Sequence, residues 1–225
     1  MHARATLGLA RVLAGVRVRV AGAAIAPEAC VVLMNHQSVL DIPIGLALVP
    51  GPYPLIPTRD RYRRGIPGVS PLARLARFPF VAQGAAMTRE ELRALQGAAD
   101  AVAAGEQSLL IFPEGHRTRD GRLGPFMRSG LRLMFRRLAR AAAEQPGPRR
   151  PVYCVVADGI TEARTVADAL TRFAGTRVAV TVLGPFAAPA DERAIDAFVD
   201  EMHARMAEAL AGLRAGAGAG ADGAA

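Results

Sequence analysis

The sequence predicts an α/β fold: a central sheet, mostly parallel or mixed, flanked by helices in a single domain. Three observations carry that expectation. Short apolar runs of strand length, several of them rich in valine, alternate along the chain with longer segments whose apolar residues recur every three or four positions. Gly, Pro and capping residues fall between these segments, where turns and helix ends belong. The chain has 225 residues, with no internal repeat and no linker that would divide it. The domain is expected over residues 1–214. The tail 215–225, AGAGAGADGAA, is low in complexity and expected to be disordered.

In chain order, residues 7–25 come first. They are apolar but interrupted by Arg11, Arg17 and Arg19. Two readings fit: a helix lying on a membrane surface, its arginines meeting anionic headgroups, or an N-terminal helix packed on the core. Residues 30–34 (CVVLM) read as a buried strand, and an apolar stretch read as a helix follows the polar block NHQSVLD, reaching Val49. Ser38 with Asp41 has the spacing of a capping box. Residues 50–72 read as a loop with a short strand near Pro54–Pro57, and Phe78–Val81 as another strand.

Thr88 with Glu91 is a second capping box. Leu92, Leu95, Ala99 and Val102 trace a helical face behind it, and Gly105 stands where that helix should stop. Residues 108–112 (SLLIF) form a buried strand closed by Pro113, followed by a polar, arginine-rich loop from Glu114 to Arg128. Leu131, Met134, Phe135 and Leu138 mark a further helix. Val152–Val156 and Val178–Leu183 are valine-rich strands. Ile195, Phe198, Val199, Met202, Met206, Leu210 and Leu213 make a long helical stripe, methionines included, that reads as core packing.

Much of the hydrophobic fraction of 51% is alanine, so the core is concentrated in the few strand-like runs. Net charge is +8, and all 28 basic residues are arginine. Coding bias explains that usage in large part, but its physical consequence stands. Arginine stays charged and presents a planar fork to phosphates, which suits an anionic lipid surface, a phosphorylated substrate or nucleic acid. Aromatic residues make up only 5%, against a base-stacking surface. Cys30 and Cys154 lie in apolar runs and read as buried reduced thiols, with no disulfide framework. Residues 42–58 carry no charge, but five prolines break them and they are too short to span a bilayer. No export signal is recognisable.

Two blocks carry chemistry. In Asn35-His36-Gln37-Ser38-Val39-Leu40-Asp41 a histidine leaves a buried strand and a carboxylate follows five residues on. Along one helix the two would face apart. If His36 precedes the helix and Asp41 lies in its first turn, the chain bends and they meet. A carboxylate on an imidazole fixes its tautomer and stabilises the cation formed on proton uptake, which suits a general base. Taken alone, this spacing is read more simply as a loop histidine and a capping aspartate. In Phe112-Pro113-Glu114-Gly115-His116-Arg117 a strand ends, the chain turns at Gly115, and charged residues emerge where α/β sheets commonly build sites. Arg117 can fork onto a phosphate, backbone N–H groups near Gly115 can add donors, and Glu114 can position Arg117 or bind a substrate hydroxyl. A surface loop with paired charges is the simpler alternative.

Together, NHQSVLD followed by FPEG-x-R resembles the glycerolipid acyltransferase family, whose best-known members acylate lysophosphatidic acid. The run RDGRLGPF is also familial, and the resemblance covers residues 15–190. It implies that His36 and Asp41 are the catalytic pair, and that Glu114, Gly115 and Arg117 help bind the phosphate of the acceptor. It implies transfer of a fatty acyl group from acyl-CoA or an acyl carrier protein to a lysophospholipid hydroxyl, without a metal or other cofactor. No metal-ligand spacing is seen either. A peripheral place on the cytoplasmic face of the cell membrane follows from that substrate. Three positions depart from the family pattern: His116 replaces the usual threonine, Gln83 stands where an arginine is often found, and Cys154 replaces a second proline. The neutral Gln83 leaves the acceptor open between lysophosphatidic acid and a lyso-aminolipid or glycolipid. The cluster Arg59, Arg61, Arg63 and Arg64 reads as a solvated loop, or as a surface for the acyl carrier or headgroup. The rival class is a basic membrane- or nucleic-acid-binding protein without activity; no nucleic-acid motif supports it.

Overall fold

The computed structural model describes residues 16–60, 74–75, 78–81, 88–118, 120–144, 149–160 and 176–219. Among the described residues, seven strands and four longer helices follow in the order β1 (Arg17–Gly22), β2 (Val31–Met34), α1 (Asp41–Leu48), β3 (Thr58–Arg59), β4 (Phe80–Val81), α2 (Arg89–Ala104), β5 (Leu109–Ile111), α3 (Arg128–Glu144), β6 (Pro151–Asp158), β7 (Arg177–Ala187) and α4 (Ile195–Ala219). Five strands form the main sheet in the order β1-β7-β6-β2-β5, and β3 pairs with β4 in a small parallel ribbon. Strand β2 runs parallel to both β5 and β6, whereas β7 is antiparallel to β6 and parallel to β1. The sheet is therefore mixed, with a parallel heart flanked by helices.

Side chains alternate across that heart. Val32, Met34, Leu110, Tyr153 and Val155 face a core shared with Ile44, Leu46 and Val49 of and after α1. Val31, Leu33, Leu109, Cys154 and Val156 face the opposite core, built with α2, α3 and α4. Burial on both faces is why these runs read as nearly continuous apolar segments. The expected stripes hold: Leu131, Met134, Phe135 and Leu138 of α3 and Ile195, Val199, Met202, Met206 and Leu210 of α4 are all buried. Cys30 and Cys154 are buried free thiols. At α2 both halves of the Thr88–Glu91 capping box form, and Gly105 closes the helix with φ +80°.

Three expectations change. Arg17–Gly22 is an edge strand, not helix; Val16, Val18 and Val20 alternate with Arg17 and Arg19, the period of a strand. Residues 1–15 lie outside the described residues. Helix α4 continues to Ala219, into the expected disordered tail. Alanine is the best helix former, and extending an existing helix avoids the cost of nucleation. The 58–59 pair is the ribbon strand, while Leu55 makes only an isolated bridge to Leu109. No helix among the described residues is long and apolar enough to cross a membrane.

Candidate active site

Because β2, β5 and β6 are parallel, their carboxyl ends open on one edge of the sheet, and both chemical blocks leave the sheet there. Asn35 follows β2 and extends its pairing with a side chain. Its Nδ2 donates to the Ala157 carbonyl, and its Oδ1 accepts from the Ala157 N–H, each at 2.8 Å. This two-bond clasp fixes the point at which the chain leaves the strand and turns into His36.

Helix α1 begins at Asp41, so the carboxylate sits in the first turn and the chain bends back toward His36. His36 Nδ1 lies 2.9 Å from Asp41 Oδ2, the same oxygen that accepts the Gln37 N–H at 2.6 Å and the Ser38 N–H at 2.7 Å. The Ser38–Asp41 capping box is half formed: Asp41 takes the Ser38 N–H, but no side chain caps the helix. The Ser38 hydroxyl instead accepts from Leu40 N–H. The shape of the turn explains the difference, because the helix starts after Leu40 and Asp41 serves the loop behind it. Asp41 is fully buried, and the imidazole is stacked on Phe112 at 4.2 Å between ring centroids. With Nδ1 on the carboxylate, Nε2 is the ring nitrogen left for chemistry.

Helix α1 reaches this position by packing closely on the sheet. A Cβ at Gly45 would lie 2.5 Å from Leu110 Cδ2 and 3.2 Å from Met34 Sδ, so a larger residue there would have to displace the Leu110 side chain. Pro43 sits in the first turn, where its missing N–H costs no helical hydrogen bond.

The second block embraces the first. Glu114 Oε1 accepts the His36 N–H at 2.8 Å, Glu114 Oε2 accepts the Gly124 N–H at 2.8 Å, and the Thr118 N–H donates to the His36 carbonyl at 2.8 Å. Glu114 is buried, and burial raises its carboxyl pKa against the lowering effect of those N–H donors. Both carboxylate oxygens hold backbone together, a role that the sequence spacing alone does not show. Gly115 has φ +68°, and a Cβ there would meet the Met127 sulfur at 2.1 Å. Its N–H is spent on the Phe112 carbonyl. His116 bonds the Glu114 carbonyl through Nδ1 at 2.7 Å. Arg117 is half-buried in the same loop, and Arg59, at the end of β3, places a guanidinium nitrogen 3.2 Å from the Gly115 carbonyl. Gln83 and Arg61, Arg63 and Arg64 lie outside the described residues.

Asn35 and Gln37 were visible in the first block, but nothing in their spacing showed what they hold. Gln37 Nε2 donates to the Gly121 carbonyl at 3.1 Å and to Asp158 Oδ1 at 3.2 Å. No group of three or more potential metal ligands occurs among the described residues.

The sequence profile of the acyltransferase family matches residues 17–172, which include both blocks. The chain belongs to the acyltransferase family. As a member of that family it is an enzyme that transfers an acyl group. The fold is shared with a solved structure, the 1-acyl-sn-glycerophosphate (LPA) acyltransferase PlsC from Thermotoga maritima, with a TM-score of 0.68 and 20% sequence identity. The likeness covers 95% of this chain and 80% of that one. No curated protein matches the sequence.

Proposed function

We propose that this acyltransferase moves a fatty acyl group from acyl-CoA or an acyl carrier protein onto the free hydroxyl of a lysophospholipid, with lysophosphatidic acid as acceptor and phosphatidic acid as product. The observation that carries this reading is the His36–Asp41 pair at the mouth of the parallel strands, 2.9 Å apart, with the carboxylate buried and the imidazole partly exposed. His36 Nε2 takes the proton of the acceptor hydroxyl as its oxygen attacks the thioester carbonyl. The tetrahedral intermediate collapses, the C–S bond breaks, and the imidazolium returns the proton to the departing thiolate. Asp41 holds the tautomer and offsets the positive charge on the ring. General-base catalysis of this kind contributes about 10²–10⁴ in rate. The thioester is already activated, so no acyl-enzyme is needed.

Arg117 and Arg59 supply positive charge around the Gly115 turn and form the binding site for the acceptor phosphate. The enzyme works at the cytoplasmic face of the membrane, as a peripheral protein meeting its lipid substrates there. The test is thiol release from acyl-CoA with a panel of lyso-lipids. Lysophosphatidic acid should be preferred, and Arg117→Gln should raise its KM about tenfold or more, the loss of one charge-assisted contact. Equal turnover of a lyso-lipid without a phosphomonoester would overturn the acceptor assignment while leaving the chemistry standing.

A further inference from the structure

Behind His36 four groups from four parts of the chain meet. Gln37 Nε2 donates to the Gly121 carbonyl and to Asp158 Oδ1. Arg214, on the last turns of α4, donates through one guanidinium nitrogen to the same two acceptors, at 2.7 Å and 3.2 Å. Its Nε adds a longer contact of 3.4 Å to Asp158 Oδ2. Asp158 is the last residue of β6, and Gly121 turns in the loop that follows the FPEG block, with φ +76°.

Two features set this cluster apart from an ordinary surface ion pair. Gln37 is buried, yet its Oε1 has no hydrogen-bond partner. Rotating the amide would aim that oxygen at the Gly121 carbonyl and the Asp158 carboxylate, so the acceptors fix the orientation and leave Oε1 orphaned. Core packing alone would favour an apolar residue here. The polar one is tolerated because its other end determines where the loop lies. The second feature is adjacency. The Gln37 N–H bonds Asp41 Oδ2, the oxygen that holds His36. Helix α4 grips the 121–124 segment a second time, three turns earlier, where His203 Nε2 bonds the Gly124 carbonyl at 3.2 Å. The N–H of Gly124 in turn bonds Glu114, which holds the backbone of His36.

We propose that Arg214 is a positioning residue of the acyl-transfer site. It clamps Gly121 and Asp158 so that Gln37 holds the His36–Asp41 turn in place, which makes the end of the C-terminal helix part of the active-site framework. Arg214 also neutralises Asp158, a second carboxylate close to the catalytic pair. The proposal rests on His36 as the general base.

The experiment compares steady-state thiol release by wild type, Arg214→Met, Arg214→Lys, Gln37→Met and the Arg214→Met/Gln37→Met double variant. His36→Ala and Arg205→Met serve as references; the latter removes an exposed ion pair elsewhere on the same helix. Arg214→Met should lower kcat about tenfold, with KM for both substrates within about twofold, because displacing a catalytic group by a fraction of an ångström costs rate rather than binding. Arg214→Lys should recover part of that loss. The double variant should be no slower than the slower single variant, since both remove one device. Unchanged kcat in Arg214→Met, or additive losses in the double variant, overturns the proposal. If Arg214→Met does not fold, Gln37→Met decides: kcat at the wild-type level would show that the clamp does not reach the catalytic turn and would overturn the proposal. An active His36→Ala would sink the general-base reading itself, a different result from an inactive His36→Ala beside a fully active Arg214→Met.

Discussion

Asparagine at position 41 keeps the shape of the aspartate and removes its charge. In the native protein one carboxylate oxygen receives three donors, from Gln37 N, Ser38 N and His36 Nδ1. Each becomes a neutral hydrogen bond in Asp41→Asn, at a loss of about 1 kcal/mol apiece, so the fold should lose about 2–3 kcal/mol. The effect on the reaction is larger. At 2.9 Å the carboxylate faces the imidazolium of the transition state. With an effective dielectric constant near 20, that attraction is about 5–6 kcal/mol, equivalent to about four powers of ten in rate. Some of it is returned by the amide dipole, so kcat should fall about 10²–10⁴-fold. KM values should stay within about threefold, because the pair acts on the transition state. The assay is thiol release from acyl-CoA, with the folded fraction checked by urea denaturation. A folded Asp41→Asn with kcat within tenfold of wild type would refute the assignment of Asp41.

Other consequences are smaller or more local. Asn35→Ala removes two buried hydrogen bonds and strands the Ala157 N–H and carbonyl, so it should destabilise the protein by about 2–4 kcal/mol in denaturant titrations. Glu114 has a raised folded pKa, so the fold binds its proton more readily than the unfolded chain. Its stability contribution is full below the ordinary Glu range and declines as pH rises through the folded value. Glu114→Gln should lack that decline, which paired unfolding curves from pH 4 to 8 would reveal above the usual Glu value; parallel curves would contradict the burial argument. Burial pushes the Cys154 thiol up to about 12, so it should resist alkylation in the folded protein at neutral pH and react only on unfolding. Labelling in the native state, read by mass spectrometry, would contradict that environment.

The parallel heart of the fold and the helix faces were legible because they are written in local periodicity. The bend joining His36 to Asp41 followed from the same logic: a helix beginning near Asp41 brings the two side chains together. Strand β1 is hidden by the apolar composition of residues 7–25, although Val16, Val18 and Val20 alternate with Arg17 and Arg19. Other roles are set by distant backbone groups and leave no local signal. Glu114 looks like a substrate contact in FPEG-x-R, yet its oxygens go to the backbones of His36 and Gly124. Arg214 stands at the polar end of a helix whose stripe reads as core packing, and only the fold brings it to Gly121 and Asp158.

The most direct test of the central claim is acyl transfer from acyl-CoA to lysophosphatidic acid by wild type and His36→Ala, with product lipid and released thiol measured together and both proteins shown to be folded. General-base catalysis by His36 predicts stoichiometric product and thiol from wild type and a loss of about 10²-fold or more in the variant. A folded His36→Ala that transfers acyl groups at close to the wild-type rate would contradict it.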